Sequence, residues 1–186
     1  MADSVGASSS MFMTRFLNLS SPDSNHNRLS PTDQRLLAAA RDDNEEMILE
    51  VFEHEGGFDI NYQDGLGNTA LHYAASHGSA TVLEHILSAD ECDVDPINRL
   101  EGATPLHLAL KIEDPELRLH IVESLLDAGA NARIKDKAGD TVWDLLSVND
   151  TKIKALIRKA EAEAAVSMDD VASDDDGEPG SGSGSE

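Results

Sequence analysis

The sequence predicts an all-α fold, a solenoid of about four helix-turn-helix repeats with a disordered tail at each end. The first observation is an internal repeat, in which Thr-x-Leu-His occurs at 69–72 and again 35 residues later at 104–107. The second is a pair of amphipathic helical patterns after each of these starts. The third is the composition of the two ends, Ser-rich at the beginning and acidic with Gly and Ser at the finish. One copy cannot bury its own apolar face, whereas stacked copies can.

The composition restricts the class of protein. A length of 186 residues suggests one domain, and with only 4% aromatic residues the core must consist of Leu, Ile, Val and Ala. Cys92 is the only cysteine, which excludes an intrachain disulfide and a Cys-rich zinc site. No run of 18 apolar residues occurs, so no membrane-spanning helix is expected.

Alignment of the copies divides residues 33–166 into four units. The stretch Gly67-Asn-Thr-Ala-Leu-His matches Gly102-Ala-Thr-Pro-Leu-His, and a fourth start follows at Gly139. The first copy shares the paired alanines and the apolar spacing of the second helix. In the third copy this helix comes four residues late, because 112–120 contain an insertion. The predicted copies are 33–62, 63–97, 98–134 and 135–166.

Local signals in each copy favour a pair of helices. A Gly-containing turn precedes Thr, which is a good N-cap, and Pro105 follows Thr104 where its fixed φ suits a first helical turn. The second helix of the third copy ends at Gly129, a residue type common at helix C-termini. Residues 151–165 are expected to close the stack as a last helix, with their apolar side chains facing inward.

The turn with Asp and Gly, the Thr-x-Leu-His start and the paired Ala resemble the repeat of the ankyrin repeat family, in particular small acidic ankyrin repeat proteins. The likeness covers about residues 33–150. The first copy lacks the turn and the Thr-x-Leu-His start, and the fourth has Trp143 for Leu and Asp144 for His. Such departures are expected of terminal repeats, because they face water. The signature residues are Gly67, Thr69, Leu71, His72, Gly102, Thr104, Pro105, Leu106 and His107.

The resemblance implies that the Thr and His of this signature are structural. In the family they hydrogen-bond to backbone at the helix start and between neighbouring turns, where orphan N–H groups need acceptors. A metal site is not expected, because His72 and His107 belong to different repeats about 10 Å apart. No Asp, Cys or Glu recurs beside them at a ligand spacing.

The resemblance also implies that a partner protein binds the concave face, which the turn tips and first helices form. Positions on this face that the signature leaves free are the candidates for contact with the partner. They are Gln63, Leu66, Asn68, Tyr73, Ser76, His77, Asn98, Leu100, Glu101, Leu108, Lys111, Ile112, Lys135, Lys137 and Asp140.

No pattern of an enzyme is present, and neither a cofactor nor a metal is expected. Cys92 lies among acids that should raise the pKa of its thiol and weaken it as a nucleophile. The chain lacks Gly-x-Ser-x-Gly, a phosphate-binding loop and His-Glu-x-x-His. The acids at 90–95 lack the Gly and closing Glu of a calcium loop, so a connection between repeats is favoured there.

The net charge of −22 restricts the partners. Such a surface repels phosphate groups, so neither nucleic acid nor an anionic membrane is expected to bind. A basic protein is favoured, because opposite charge raises the rate of encounter. Two classes of function stay open for a chain expected to be a monomer in the cytoplasm or nucleus. One is an adaptor or escort of a basic client such as a ribosomal protein, and the other is a regulator of transcription or of proteasome assembly and proteolysis.

Residues 1–32 and 167–186 are predicted to be disordered tails by their composition. The apolar segment 11–17 lacks the basic start of a secretory signal. A mitochondrial presequence stays open there as an alternative to a short sticky segment.

Four serines in these tails are candidate phosphorylation sites. Ser21 and Ser30 each precede Pro, the pattern that proline-directed kinases use, while Ser167 and Ser173 precede acids as acid-directed kinases prefer.

Overall fold

The computed structural model of the protein describes residues 30–54 and 57–169, and the side chains of the last helix as far as residue 165. These residues form eight helices and no strand, which confirms the predicted all-α class. The helices are α1 (Pro31–Asp42), α2 (Glu45–Glu53), α3 (Ala70–His77), α4 (Ala80–Leu87), α5 (Pro105–Ala109), α6 (Pro115–Asp127), α7 (Val142–Leu145) and α8 (Thr151–Asp169). The predictions for Ser21, Ser173 and segment 11–17 lie outside the described residues.

The helices stack in two rows. The first helices of the repeats contact each other in the order α1, α3, α5 and α7, and the second helices in the order α2, α4, α6 and α8. One apolar cluster runs between the rows from Leu36 in the first repeat to Ile157 in the last, and both side chains are fully buried. Paired alanines, such as Ala74 and Ala75, are also fully buried and allow the first helices to approach closely.

The first helix begins earlier than its sequence pattern predicted. Ser30 is its N-cap, with extended backbone at φ −69° and ψ 150°, and its Oγ accepts a hydrogen bond from the Asp33 amide at 3.0 Å. Pro31 occupies the first turn, where no amide hydrogen is needed. Residues 30–32 therefore belong to the helical domain and not to the N-terminal tail.

Asp43 ends α1 in the left-handed region at φ 49°, where the second repeat has Gly78 at φ 74°. Its carboxylate accepts a hydrogen bond from the Val82 amide at 3.0 Å, in the first turn of α4. The N-cap residue of α4, Ser79, makes no side-chain bond to the described backbone of that turn. A residue of the first repeat thus caps a helix of the second, and this bond offsets the strain of a positive φ.

The insertion in the third repeat lengthens α6 to 13 residues, compared with eight in α4. The added turn carries Arg118, which donates to the Ile112 carbonyl at 3.0 Å and to the Asp150 carboxylate at 3.0 Å. The insertion therefore connects the third repeat to the segment that precedes α8.

The closing helix α8 buries Ile153 and Ile157 against the stack. Glu161 on α8 accepts hydrogen bonds from Trp143 Nε1 at 3.4 Å and from Arg133 Nε at 3.0 Å. The helix continues to Asp169, so the predicted boundary of the acidic tail at residue 167 was too early, and Ser167 lies within α8.

Two substitutions at Asp43 should separate the contribution of its hydrogen bond to Val82 from the cost of its positive φ. Asp43→Ala removes the bond to Val82 and keeps the positive φ, so we expect a loss of about 1–3 kcal/mol of unfolding free energy. Asp43→Gly also removes the bond but relieves the strain, and should stay within about 1 kcal/mol of the parent. Urea unfolding followed by circular dichroism measures both, and equal losses would show that the backbone conformation at 43 is unstrained.

Candidate partner-binding surface

A row of three turns projects from the stack, and the first side chain of each turn holds its backbone. In the first turn the Asp64 carboxylate accepts hydrogen bonds from the amides of Leu66 at 2.8 Å and Asn68 at 2.9 Å. Asn98 and Asp136 do the same in the next two turns. The bonds run from Glu101 and Ala103 to Asn98 at 2.9 and 3.1 Å, and from Ala138 and Asp140 to Asp136 at 2.8 and 3.0 Å.

Backbone hydrogen bonds connect each turn to the next. The Arg99 amide donates to the Leu66 carbonyl at 2.8 Å, and the Lys137 amide donates to the Glu101 carbonyl at 2.8 Å. The three turns therefore form one continuous, internally bonded edge, and the backbone at their tips is held at a set spacing.

This close approach explains the glycine in each of the first two turns. Gly67 has φ +80°, and a Cβ atom there would lie 2.5 Å from the Arg99 amide nitrogen. Gly102 has φ +67°, and a Cβ atom there would lie 2.9 Å from the Lys137 amide nitrogen. Both the left-handed backbone and the contact with the next turn exclude a side chain.

His72 connects its own helix to the following turn. Its Nδ1 accepts hydrogen bonds from the Thr69 amide at 3.1 Å and lies 3.0 Å from the Thr69 hydroxyl, in a capping box at the start of α3. Because Nδ1 accepts from an amide, the ring proton sits on Nε2, which donates to the Ala103 carbonyl at 3.1 Å. Burial lowers the pKa of His72, so the ring is held neutral.

The same arrangement weakens toward the C-terminal end. His107 Nδ1 accepts from the Thr104 amide at 3.3 Å, but its buried Nε2 has no hydrogen-bond partner among the described residues. Burial lowers the pKa of His107, and the nearby Asp140 carbonyl opposes this shift without forming a hydrogen bond to Nε2. Among the described residues, this junction therefore lacks the bond that His72 makes to Ala103 at the junction before it.

The fourth repeat replaces the histidine by Asp144. Its carboxylate accepts hydrogen bonds from the Thr141 amide at 2.9 Å and from the Thr141 hydroxyl at 2.7 Å. The hydrogen bond from the amide lowers the pKa of Asp144. A carboxylate completes the capping box but cannot donate to a following turn. Since α8 and not another turn follows, this second bond is not required.

Three of the positions predicted to contact a partner are buried, which corrects the prediction for them. Asn98 is 4% exposed, because its amide holds the second turn and also donates to Asn68 at 3.1 Å. Leu108 and Ile112, 9% and 8% exposed, have their side chains packed inside the repeat. The positions that remain accessible are Gln63, Leu66, Asn68, Tyr73, Ser76, His77, Leu100, Glu101, Lys111, Lys135, Lys137 and Asp140.

Among these positions, Tyr73 is held by its neighbours in the first two repeats. The guanidinium of Arg41 lies 4.0 Å from the centre of its ring, and its hydroxyl donates to Asp64. The ring of His77 lies 6.1 Å away on the same helix. This group therefore presents a fixed aromatic face, in which Arg41 takes a part that the sequence pattern did not predict.

Exposed apolar side chains mark the tips of the turns. Leu66 is 49% exposed and Leu100 is 61% exposed, and Ile97, which the sequence pattern missed, is 51% exposed. A further exposed pair consists of Leu145, the last residue of α7, and Val148, which follows the helix. The signal for Ile97 and Val148 was weak, because each is one apolar residue in a segment without helical spacing.

No group of three or more His, Cys, Asp and Glu side chains within the described residues could hold a metal ion, and none of their helices is long and apolar enough to cross a membrane. Burial, with a smaller effect of Asp93, raises the pKa of the Cys92 thiol to about 11, which suppresses its reactivity. In the loop at residues 90–95, Asp95 accepts a hydrogen bond from the Asn131 amide at 3.0 Å and so connects two repeats.

Comparison with known proteins agrees with this geometry. A profile of ankyrin repeats in three copies matches residues 13–98 and 36–136, and the chain belongs to the ankyrin repeat family. It is 34% identical over 123 residues to the ankyrin repeat-containing protein YGL242C of Saccharomyces cerevisiae, covering 61% of this chain and 68% of that one. Ankyrin repeats are generally protein–protein interaction modules.

Two further likenesses cover smaller parts of the proteins concerned. The chain is 28% identical over 123 residues to the E3 ubiquitin-protein ligase Ufd4 of Drosophila melanogaster, which covers 66% of this chain but 4% of the ligase. The crystal structure of an ankyrin repeat domain from Acinetobacter baumannii aligns with a TM-score of 0.62 and 27% identity, over 68% of this chain and 63% of that one. The chain thus spans only part of either protein.

Substitution of the turn glycines should be costly at one position and harmless two residues away. Gly67→Ala combines a strained φ with a clash against backbone, so we expect a loss of more than about 2 kcal/mol of unfolding free energy. Gly65→Ala is the matched control, because no atom lies within 4 Å of its added Cβ, and it should stay within about 1 kcal/mol. Chemical denaturation of both variants tests this, and equal losses would contradict the close approach of the turns.

The stability of the protein should depend on the protonation of His72. Its folded pKa lies below the ordinary value of 6.5, so the unfolded chain binds more protons and stability falls as the pH drops through 6.5 and below. His72→Gln keeps an acceptor for the Thr69 amide but does not titrate, and should reduce this slope. Urea midpoints between about pH 7.5 and about pH 5.0, a range that spans the ordinary imidazole pKa, measure this slope, with His77→Gln on the same helix as the control. An unchanged slope in His72→Gln would contradict a buried neutral ring.

Proposed function

We propose that this protein is a non-enzymatic adaptor or escort that holds a segment of another protein against the turn tips and first helices. The observation that carries the proposal is the row of exposed leucines, Leu66 and Leu100, on turns that are bonded to each other through backbone. Turns whose backbone is already fixed before binding lose little backbone entropy when a partner covers them. Tyr73, held by Arg41 and Asp64, adds an aromatic side chain of the type that anchors protein interfaces.

The charge supports a basic partner. The chain carries a net charge of −22. Carboxylates are concentrated on helix α2 and in the loop at residues 90–95, on the outside of the stack. Of these, Glu46 and Glu53 on α2 and Asp90 are exposed. Their field raises the rate of encounter with a basic protein, of the type of a ribosomal protein, in the cytoplasm or nucleus. The same field disfavours nucleic acid and anionic membranes, and the protein acts as a monomer.

A second candidate function is regulation of transcription or of proteasome assembly and proteolysis. The likeness to a short part of a ubiquitin ligase is compatible with it. The two candidates differ in the need for charge, because an escort neutralises a basic client whereas an inhibitor that uses only the concave face does not.

The test is an affinity capture with the full chain and two surface variants, followed by kinetics with the partner that is identified. The double variant Leu66→Glu and Leu100→Glu should weaken binding roughly thirtyfold or more, because it buries charge at two anchors. Leu49→Glu is the matched control, since Leu49 is 42% exposed but lies on α2, away from the turns.

Deletion of residues 170–186, which removes six acids, should slow association and reduce its dependence on salt. A partner that is lost with Leu49→Glu but kept by the double variant would refute binding at the turns. Rates unchanged by the deletion would favour the regulatory alternative.

A further inference from the structure

Ser30 is bonded twice to one neighbour at the start of α1. Its Oγ accepts the amide hydrogen of Asp33 at 3.0 Å and donates its own hydrogen to the Asp33 carboxylate at 2.7 Å. The hydroxyl hydrogen is therefore essential to this arrangement, because a carboxylate can only accept.

Asp33 transmits this contact into the rest of the fold. Its side chain is 7% exposed, although it carries a charge, and its other carboxylate oxygen accepts from the Asp59 amide at 3.2 Å. Asp59 belongs to the segment that leads from α2 to the second repeat. The pair of Ser30 and Asp33 thus connects the beginning of the first helix to the connection between two repeats.

We propose that Ser30 is a phosphorylation site and that its modification loosens the first repeat. Ser30 is only partly buried, its backbone is extended, and the exposed Pro31 follows it, as a proline-directed protein kinase requires. In the reaction Oγ attacks the terminal phosphorus of a nucleoside triphosphate, the bond to the leaving nucleoside diphosphate breaks, and the hydroxyl proton passes to the base of the kinase. This inference goes beyond the binding function proposed above.

Two effects of a phosphate at this position oppose each other. The N-terminal end of a helix attracts negative charge, and free amides of the first turn can donate to the phosphate. The phosphorylated oxygen, however, has no hydrogen to donate, and the new charge of about −2 lies beside the Asp33 carboxylate. Because Asp33 is almost fully buried, water screens this repulsion poorly. Repulsion therefore prevails, and Asp33 moves outward and releases the Asp59 amide.

The first experiment tests whether Ser30 is accessible to a kinase in the folded protein. The full chain with Ser21→Ala retains Ser30 as the Ser-Pro pair of interest, and is incubated with a proline-directed kinase and ATP before mass spectrometry. We expect phosphate on Ser30, and none at that peptide in Ser30→Ala. A folded Ser21→Ala protein that stays unmodified at Ser30 would overturn the proposed site.

The second experiment tests whether phosphorylation destabilises the fold through Asp33. Phosphoserine is placed at position 30 during synthesis, in the parent chain and in Asp33→Asn, and each protein is compared with its unmodified form by thermal unfolding. With Asp33 present, phosphorylation should lower Tm by roughly 2–8 °C. In Asp33→Asn the repulsion is absent, so the phosphate should leave Tm unchanged or raise it.

Hydrogen exchange locates the effect and Ser30→Ala isolates it. Phosphorylation should make amides of α1 exchange roughly fivefold faster or more, while those of α6 change less. Ser30→Ala loses the cap without adding charge, so its Tm should fall less than that of the phosphorylated parent. An unchanged or higher Tm of the phosphorylated parent, or an equal fall in Asp33→Asn, would overturn the mechanism.

Discussion

The backbone hydrogen bond from each turn to the next is the constraint on which the rest of the structure depends. It brings Arg99 against Leu66, sets the spacing of the repeats, and thereby sets how far apart the first helices lie. Buried alanines lie where the first helices approach each other, and the contact between the turns requires glycine at residue 67. The signature of the repeat is in this sense the set of side chains that such a close stack permits.

The ends of the described stack use different cap bonds from its middle. In the second repeat, His72 completes the cap of its own helix and also donates to the Ala103 carbonyl of the third repeat. At the start of the described residues, Ser30 with Asp33 caps the first helix instead. In the last repeat, Asp144 completes the cap, and a carboxylate cannot donate to a carbonyl. The local cap is therefore kept at both ends, while the bond that His72 makes to the following turn is not repeated at either end of the described stack.

The sequence predicted the features that recur from repeat to repeat, and it failed for features that occur in one repeat only. Two copies of Thr-x-Leu-His were enough for the helical class, the first helices and the capping residues. The burial of Asn98 could not be found by elimination, because the second turn is one residue longer than the first, so that Asn98 and not the next residue takes the place of Asp64. Leu108 and Ile112 keep the alignment of the second repeat, where Tyr73 and His77 are more accessible, and their burial was not visible in that alignment. The earlier start of α1 at Ser30 was missed, since Ser-Pro in a Ser-rich stretch is equally typical of a tail and a helix cap.

Several links between repeats end on backbone atoms: His72 reaches a carbonyl oxygen, Asp43 an amide nitrogen, and the turns join through their peptide groups. A backbone atom is the same whatever side chain its residue carries. Selection can therefore exchange residues at the tips, such as Leu66, without a compensating change in the neighbouring repeat. A descendant of this protein could acquire a new partner by substitutions at the edge alone, while the scaffold that positions them is inherited intact.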